Sequence, residues 1–183
     1  MKPILMTALL CAAMGSPAAA ETCPPPLAFE SRKAQLLETL QGTRNENAGR
    51  FLTRELLALW STAPDRRAQT LLDLGMELRD RQAFDAAEGV FEQLIAYCPA
   101  YAEGYNQRAF LRYLVRDFDG ALADLDAALT RDPHHAAAMA GKAMALMQLG
   151  RVAEGQETLR LALQLNPWLP ERRMLITPPG ELL

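Results

Sequence analysis

Leu71-x2-Leu74-Gly75-x2-Leu78, followed by Ala87-x3-Phe91 and then Pro99, is the stretch that decides how this chain reads. Leu71, Leu74 and Leu78 recur at helical spacing, so they form one apolar stripe. Gly75 lies within that stripe and Ala87 faces it from the next helix; two small residues let the two backbones approach closely. The pattern returns at Tyr105, Arg108, Ala109, Arg112, Ala121, Leu125 and Pro133, and again at Met139, Lys142, Ala143, Leu146, Gly155, Leu159 and Pro167. Pro99, Pro133 and Pro167 cannot continue a helix and bias the residue before them away from helical geometry. Each unit therefore reads as two helices, a turn between them and a proline at the end. The spacing predicts helices over 69–80, 84–97, 103–115, 118–131, 136–149 and 152–165.

A period of about 34 residues with small residues and prolines in phase resembles the tetratricopeptide-repeat (TPR) family. The resemblance covers somewhat over half of the chain. It implies an all-α fold, a short solenoid of antiparallel helix pairs with three clear repeats over 68–101, 102–135 and 136–169. Arg112 departs from the family pattern, which prefers a large apolar or aromatic residue there. Arg108 and Asp124 stand where the first unit has Leu74 and Val90. Both members of that facing pair change to opposite charges together, which predicts an ion pair across the two helices of the middle unit, the arginine stem covering the core.

Upstream, residues 1–20 read as a secretory signal peptide: Lys2, a short apolar stretch from Ile4 to Met14, and Ala18-Ala19-Ala20 before Glu21. Its removal takes one lysine and no acid, moving the net charge from −3 to −4. The expected location is then the periplasm, with no membrane anchor after cleavage. Cys23 and Cys98 remain, and two readings stand. In an oxidising compartment they form a disulfide tying the proline-rich tail, 21–29, to the end of a repeat helix. Otherwise they are two thiols, one on the tail and one buried as a small hydrophobe. No C-x-x-C pair is present. Residues 30–67 carry two apolar stripes without the repeat signature: Leu36, Leu37 and Leu40, then Leu52, Leu56, Leu59 and Trp60. They read as a degenerate repeat or as a helix pair capping the end of the array. The tail, 170–183, is too short and too rich in proline for a full capping helix. The last pair is thus expected to leave an apolar strip, which favours a homodimer through that end.

Half of the residues are apolar and the net charge is mildly acidic, which offers no field for nucleic acid. His134 and His135 are the only histidines and follow Pro133 in a turn, without the converging ligands a metal needs. No nucleophile has a histidine partner and no phosphate-cradling glycine loop occurs. The expectation is therefore no enzyme, no cofactor and no metal.

The resemblance also implies where a partner would sit, since one side of each first helix lines the concave surface of such a solenoid. Counting onto that side gives Leu72, Met76 and Arg79, then Asn106, Phe110 and Tyr113, then Ala140, Met144 and Met147. The expected function is an exported adaptor or scaffold holding a partner's peptide or helix in an apolar groove, with charged peptides, sugars and nucleotides fitting poorly. Small periplasmic proteins of Gram-negative bacteria with a few such repeats are similar in Ala102 to Ala109 and in Asp124-Leu125-Asp126. The competing reading is an accessory factor or enzyme subunit of cell-envelope or thiol metabolism without a recognisable catalytic motif.

Overall fold

The computed structural model describes residues 22–176; the expected signal peptide and the end of the tail lie outside them. Among the described residues there are eight α-helices and no strand: α1 Glu30–Gly42, α2 Glu46–Trp60, α3 Arg66–Asp80, α4 Phe84–Tyr97, α5 Ala102–Leu114, α6 Phe118–Arg131, α7 Ala136–Gln148 and α8 Val152–Leu165. A 3₁₀ turn, Pro170–Met174, follows α8. Helices α3 to α8 form three antiparallel pairs stacked in chain order. α3 begins three residues before the apolar stripe predicts, because the Asp65 carboxylate caps it by accepting the Ala68 N–H at 2.8 Å. Asn45 and Asp117 cap α2 and α6 in the same way.

The turn inside each pair repeats as faithfully as the helices do. Gln82, Arg116 and Gly150 occupy the same repeat position, with φ of 61°, 67° and 79°. In each, the next residue's N–H returns to a carbonyl five residues back: Ala83 to Leu78, Asp117 to Arg112 and Arg151 to Leu146. This is the helix-ending turn in which one left-handed residue satisfies otherwise orphaned carbonyls. Only the third unit places glycine there.

Close packing within the pairs follows the small residues. A Cβ on Gly75 would overlap the Phe91 ring, which is fully buried. Leu72, Ala87, Phe91 and Leu94 form the core of the first pair. Tyr105, Ala109, Ala121, Leu125 and Ala128 fill the middle. Arg112, the departure from the family pattern, is part of an ion network. Asp124 accepts from Arg108 Nη2 at 2.6 Å and from Arg108 Nε at 2.8 Å. It also meets Arg112 Nη1 at 3.0 Å, while Arg112 Nη2 reaches Glu88 on α4 at 3.0 Å. Asp124 thus serves two guanidiniums, and the second of them links the first pair to the middle one.

The N-terminal helix pair does not stack on α3 as one more unit. It crosses the array and packs against its far end. Leu36, Leu37 and Leu40 of α1 and Leu56 and Trp60 of α2 share one core with Ala136, Ala140, Ala162 and Leu169. Three attachments hold this pair and the tail ahead of it, one per repeat and at the same repeat position each time. Cys98 is bonded to Cys23, their Cα atoms 5.1 Å apart. Asp132 accepts from Lys33 Nζ at 2.7 Å and from Trp60 Nε1 at 2.9 Å. Asn166 donates to the Thr53 hydroxyl at 3.0 Å. Three residues further on, again in phase, Tyr101, His135 and Leu169 are all buried beneath α2. The Tyr101 hydroxyl donates to the Trp60 carbonyl at 2.7 Å, and the His135 ring stacks on Trp60 with centroids 4.0 Å apart.

This placement corrects the expectation of a bare apolar strip at the end of the array, which motivated a dimer there. Leu163, Leu165 and Trp168 pack on the core that α1 and α2 supply. Gln156 of α8 donates to the Met174 carbonyl and accepts from the Ile176 N–H, so the 3₁₀ segment covers part of the rest. Val152 and Leu161 are the large apolar side chains of α8 still exposed. The reach of α2 rests on a close approach at Gly49, where a Cβ would overlap the Trp168 indole.

A candidate binding cavity between α2, α5 and α7

Because α2 lies across the array, the inner surface is a cleft with α2 as one wall. A cavity of about 330 Å³ opens there. Leu57 and Ser61 line it from α2, Glu103, Asn106, Gln107, Phe110 and Tyr113 from α5, and Ala137, Gly141 and Met144 from α7, with Glu171 closing one end. A neighbouring cavity of about 390 Å³ continues along α2 past Arg50, Arg54 and Trp168, sharing Leu57, Ala137 and Glu171 with the first. The lining is mostly apolar, with Phe110 46% exposed and Leu57 40% exposed, while Glu103 is buried.

Four of the eight residues expected in the groove, Asn106, Phe110, Tyr113 and Met144, line this cavity together. The other four are used elsewhere. Leu72 is buried in the core of the first pair and Met76 packs against it. Met147 accepts a hydrogen bond from Gln156 Nε2 at 3.1 Å. Arg79 bonds to Gln107 and to Asp80, and its guanidinium lies 4.9 Å from the centre of the Phe110 ring. It therefore orients the cavity wall without lining it. Asn106 donates to Glu103 Oε2 at 3.0 Å, which fixes its amide plane and leaves the amide oxygen as an acceptor.

Behind this wall stands a buried polar chain that the histidine pair in the sequence did not disclose. His135 is fully buried while His134 is exposed. His135 Nδ1 accepts the Ala138 N–H at 3.2 Å, capping α7, so the ring proton sits on Nε2 and points to Glu103 Oε2 at 2.8 Å. Glu103 also accepts from Gln107. Every oxygen of this buried carboxylate is thereby satisfied, and two of the side chains it holds, Asn106 and Gln107, face the cavity. The helical pattern did contain a signal: His135 stands one residue ahead of a helix, the place of a cap. Its partner lies one repeat away, beyond the reach of local pattern.

Charge inside this framework is arranged for holding. Burial works to raise the Asp132 carboxyl, but Lys33 and the Trp60 N–H outweigh it and keep it below its ordinary value. Burial works to lower Lys33, but Asp132 and Glu30 carry it above its ordinary value. Burial raises the Tyr101 phenol, and Glu103 and Asp73 raise it further, so it stays a hydrogen-bond donor. Among the described residues, no group of three or more His, Cys, Asp and Glu side chains stands together as a metal site. Among them, too, no helix is long and apolar enough to cross a membrane.

The family model described as "Tetratricopeptide repeat" matches residues 114–176, from the end of α5 through α8. A TPR repeat-containing protein of Rhizobium etli is 24% identical over 66% of this chain, and the chain spans 59% of that relative's length. Protein FlbA of Caulobacter vibrioides is 29% identical over 69% of this chain, which spans 19% of it. Among solved structures, the TPR2B domain of yeast Sti1 in complex with pHsp70 is 25% identical with a TM-score of 0.56. That likeness covers 60% of this chain and 90% of the domain. Three stacked helix pairs, a repeated left-handed turn and the matched segment agree: α3 to α8 have the fold of a tetratricopeptide-repeat solenoid, and residues 114–176 match that family.

Proposed function

We propose that this protein is an exported adaptor that holds a segment of a partner protein in the cavity between α2, α5 and α7. The observation that carries the reading is the cavity's make-up. Exposed apolar side chains, Phe110 and Leu57, stand beside fixed hydrogen-bonding groups, Asn106 and Gln107, on the face that the repeat fold turns inward. Apolar anchors with a few oriented polar groups are what a peptide site needs. Met144 adds an adaptable surface. The Sti1 domain of similar fold was solved with a bound partner, which supports the same use of the fold here. Export is supported by the leader-like start of the sequence, and a disulfide is at home in an oxidising compartment.

Affinity capture from a periplasmic extract tests the reading, comparing the wild type with a Phe110→Ala, Met144→Ala double variant of unchanged helicity. A partner retained by the wild type and lost by the variant is the expected result. Equal retention by both would place binding elsewhere on the molecule.

A further inference from the structure

The cavity's charge specifies what its occupant carries. Among the described residues two carboxylates, Glu103 and Glu171, line it, and no lysine or arginine does. They differ in one respect. Glu103 is saturated by His135, Asn106 and Gln107. Among the described residues Glu171 has a buried oxygen, Oε2, without a hydrogen-bond partner, as has the Trp168 indole N–H. An unpaired buried carboxylate oxygen is costly, and native structures tolerate one where something else completes it. Nearby cations do not do so. Arg50 and Arg54 line the adjoining cavity, where Arg50 is drawn to Glu46 at 3.1 Å. Arg172 also goes to Glu46, at 3.0 Å, and lies over the Trp168 ring. Beside Glu171, Leu57 faces the same space, with Phe110 further along the wall. An aromatic face and an aliphatic wall suit the stem of a long basic side chain whose head meets a carboxylate.

We infer that the partner segment inserts an arginine or lysine into this cavity, its cation completing Glu171 and its stem lying along Leu57 and Phe110. This deepens, and rests on, the proposal that the cavity is a peptide site. It also revises the expectation from sequence that charged peptides fit poorly, because the apolar surface counted from the helices did not include Glu171, which arrives from beyond α8.

A random-peptide display library selected against the oxidised full chain tests it, with three variants in parallel: Phe110→Ala with Met144→Ala, Glu171→Gln, and Glu171→Lys. Wild-type selections are expected to enrich a basic residue at one fixed position among apolar ones, by tenfold or more over the input library. Glu171→Gln should lose that basic preference while keeping the apolar one, and Glu171→Lys should turn it towards Asp or Glu. Apolar peptides enriched alike by the wild type and both Glu171 variants would overturn this inference and leave the peptide site standing. No enrichment over the Phe110→Ala, Met144→Ala control would overturn both. Helicity and melting temperature of each variant separate loss of folding from loss of preference, and the reversal in Glu171→Lys is a gain that misfolding does not produce.

Discussion

Asp124 is the residue whose chemistry most exceeds its pairwise reading. A facing pair, Arg108 and Asp124, follows from comparing the repeats, and the structure adds Arg112 as a second guanidinium on the same carboxylate. With Asp124 buried at 5% side-chain exposure, removing it alone strands Arg108 in a partly desolvated place and leaves Arg112 to Glu88. Asp124→Ala should therefore cost about 3–5 kcal/mol, whereas adding Arg108→Met and Arg112→Leu to it should recover a large part. Chemical denaturation of the single and triple variants gives the comparison; a triple variant less stable than Asp124→Ala would contradict it. Arg116 offers a test of opposite sign. It holds a left-handed φ of 67° where the third repeat has Gly150. A non-glycine residue there pays about 1–2 kcal/mol of backbone strain, offset in part by the extra freedom glycine gains on unfolding. Arg116→Gly should then raise stability by up to about 1 kcal/mol in the same denaturation experiment, and a loss would show that the arginine's side chain outweighs its backbone.

At the scale of elements, the distinctive part is α2, which ties all three repeats together instead of extending the stack. The six helices from α3 to α8 were legible because a 34-residue period writes the same packing problem three times. The destination of α2 was not legible. The residues that tether α2 and the tail before α1, Cys98, Asp132 and Asn166, stand in phase but are a cysteine, a carboxylate and an amide, so they share a place without sharing a residue type. Periodicity records how a repeat packs on itself, and a helix that crosses between repeats leaves no period. The same cause hid one wall of the cavity: Phe110 and Met144 follow from counting along helices, whereas Leu57, Ser61 and Glu171 come from segments outside the repeats. Gly49 is where the crossing is tightest. Gly49→Ala should destabilise by about 1–2 kcal/mol, as overlap with the Trp168 ring exceeds the gain in helix propensity. Gly89→Ala, in α4 with open space at its Cβ, should instead stabilise by about 0.5–1 kcal/mol. Thermal melts of the two variants decide it, and equal shifts would mean that α2 does not press on Trp168.

For the whole molecule, the disulfide and the N-terminal pair turn an open solenoid into a cleft with a fixed wall. The Cys23–Cys98 bond spans 75 residues, the length over which a crosslink restricts the unfolded chain by about 4 kcal/mol in the chain-entropy model. Wall and repeats then present one inward surface, where the proposed partner would sit. The most direct measurement replaces single residues with a photoreactive amino acid and compares crosslinking in periplasmic extract. Phe110 stands in the cleft, and Leu161, as exposed at 48%, stands on α8 outside it. A discrete crosslinked partner is expected from position 110 and none from position 161. A partner captured from position 161 and not from position 110 would contradict the proposal.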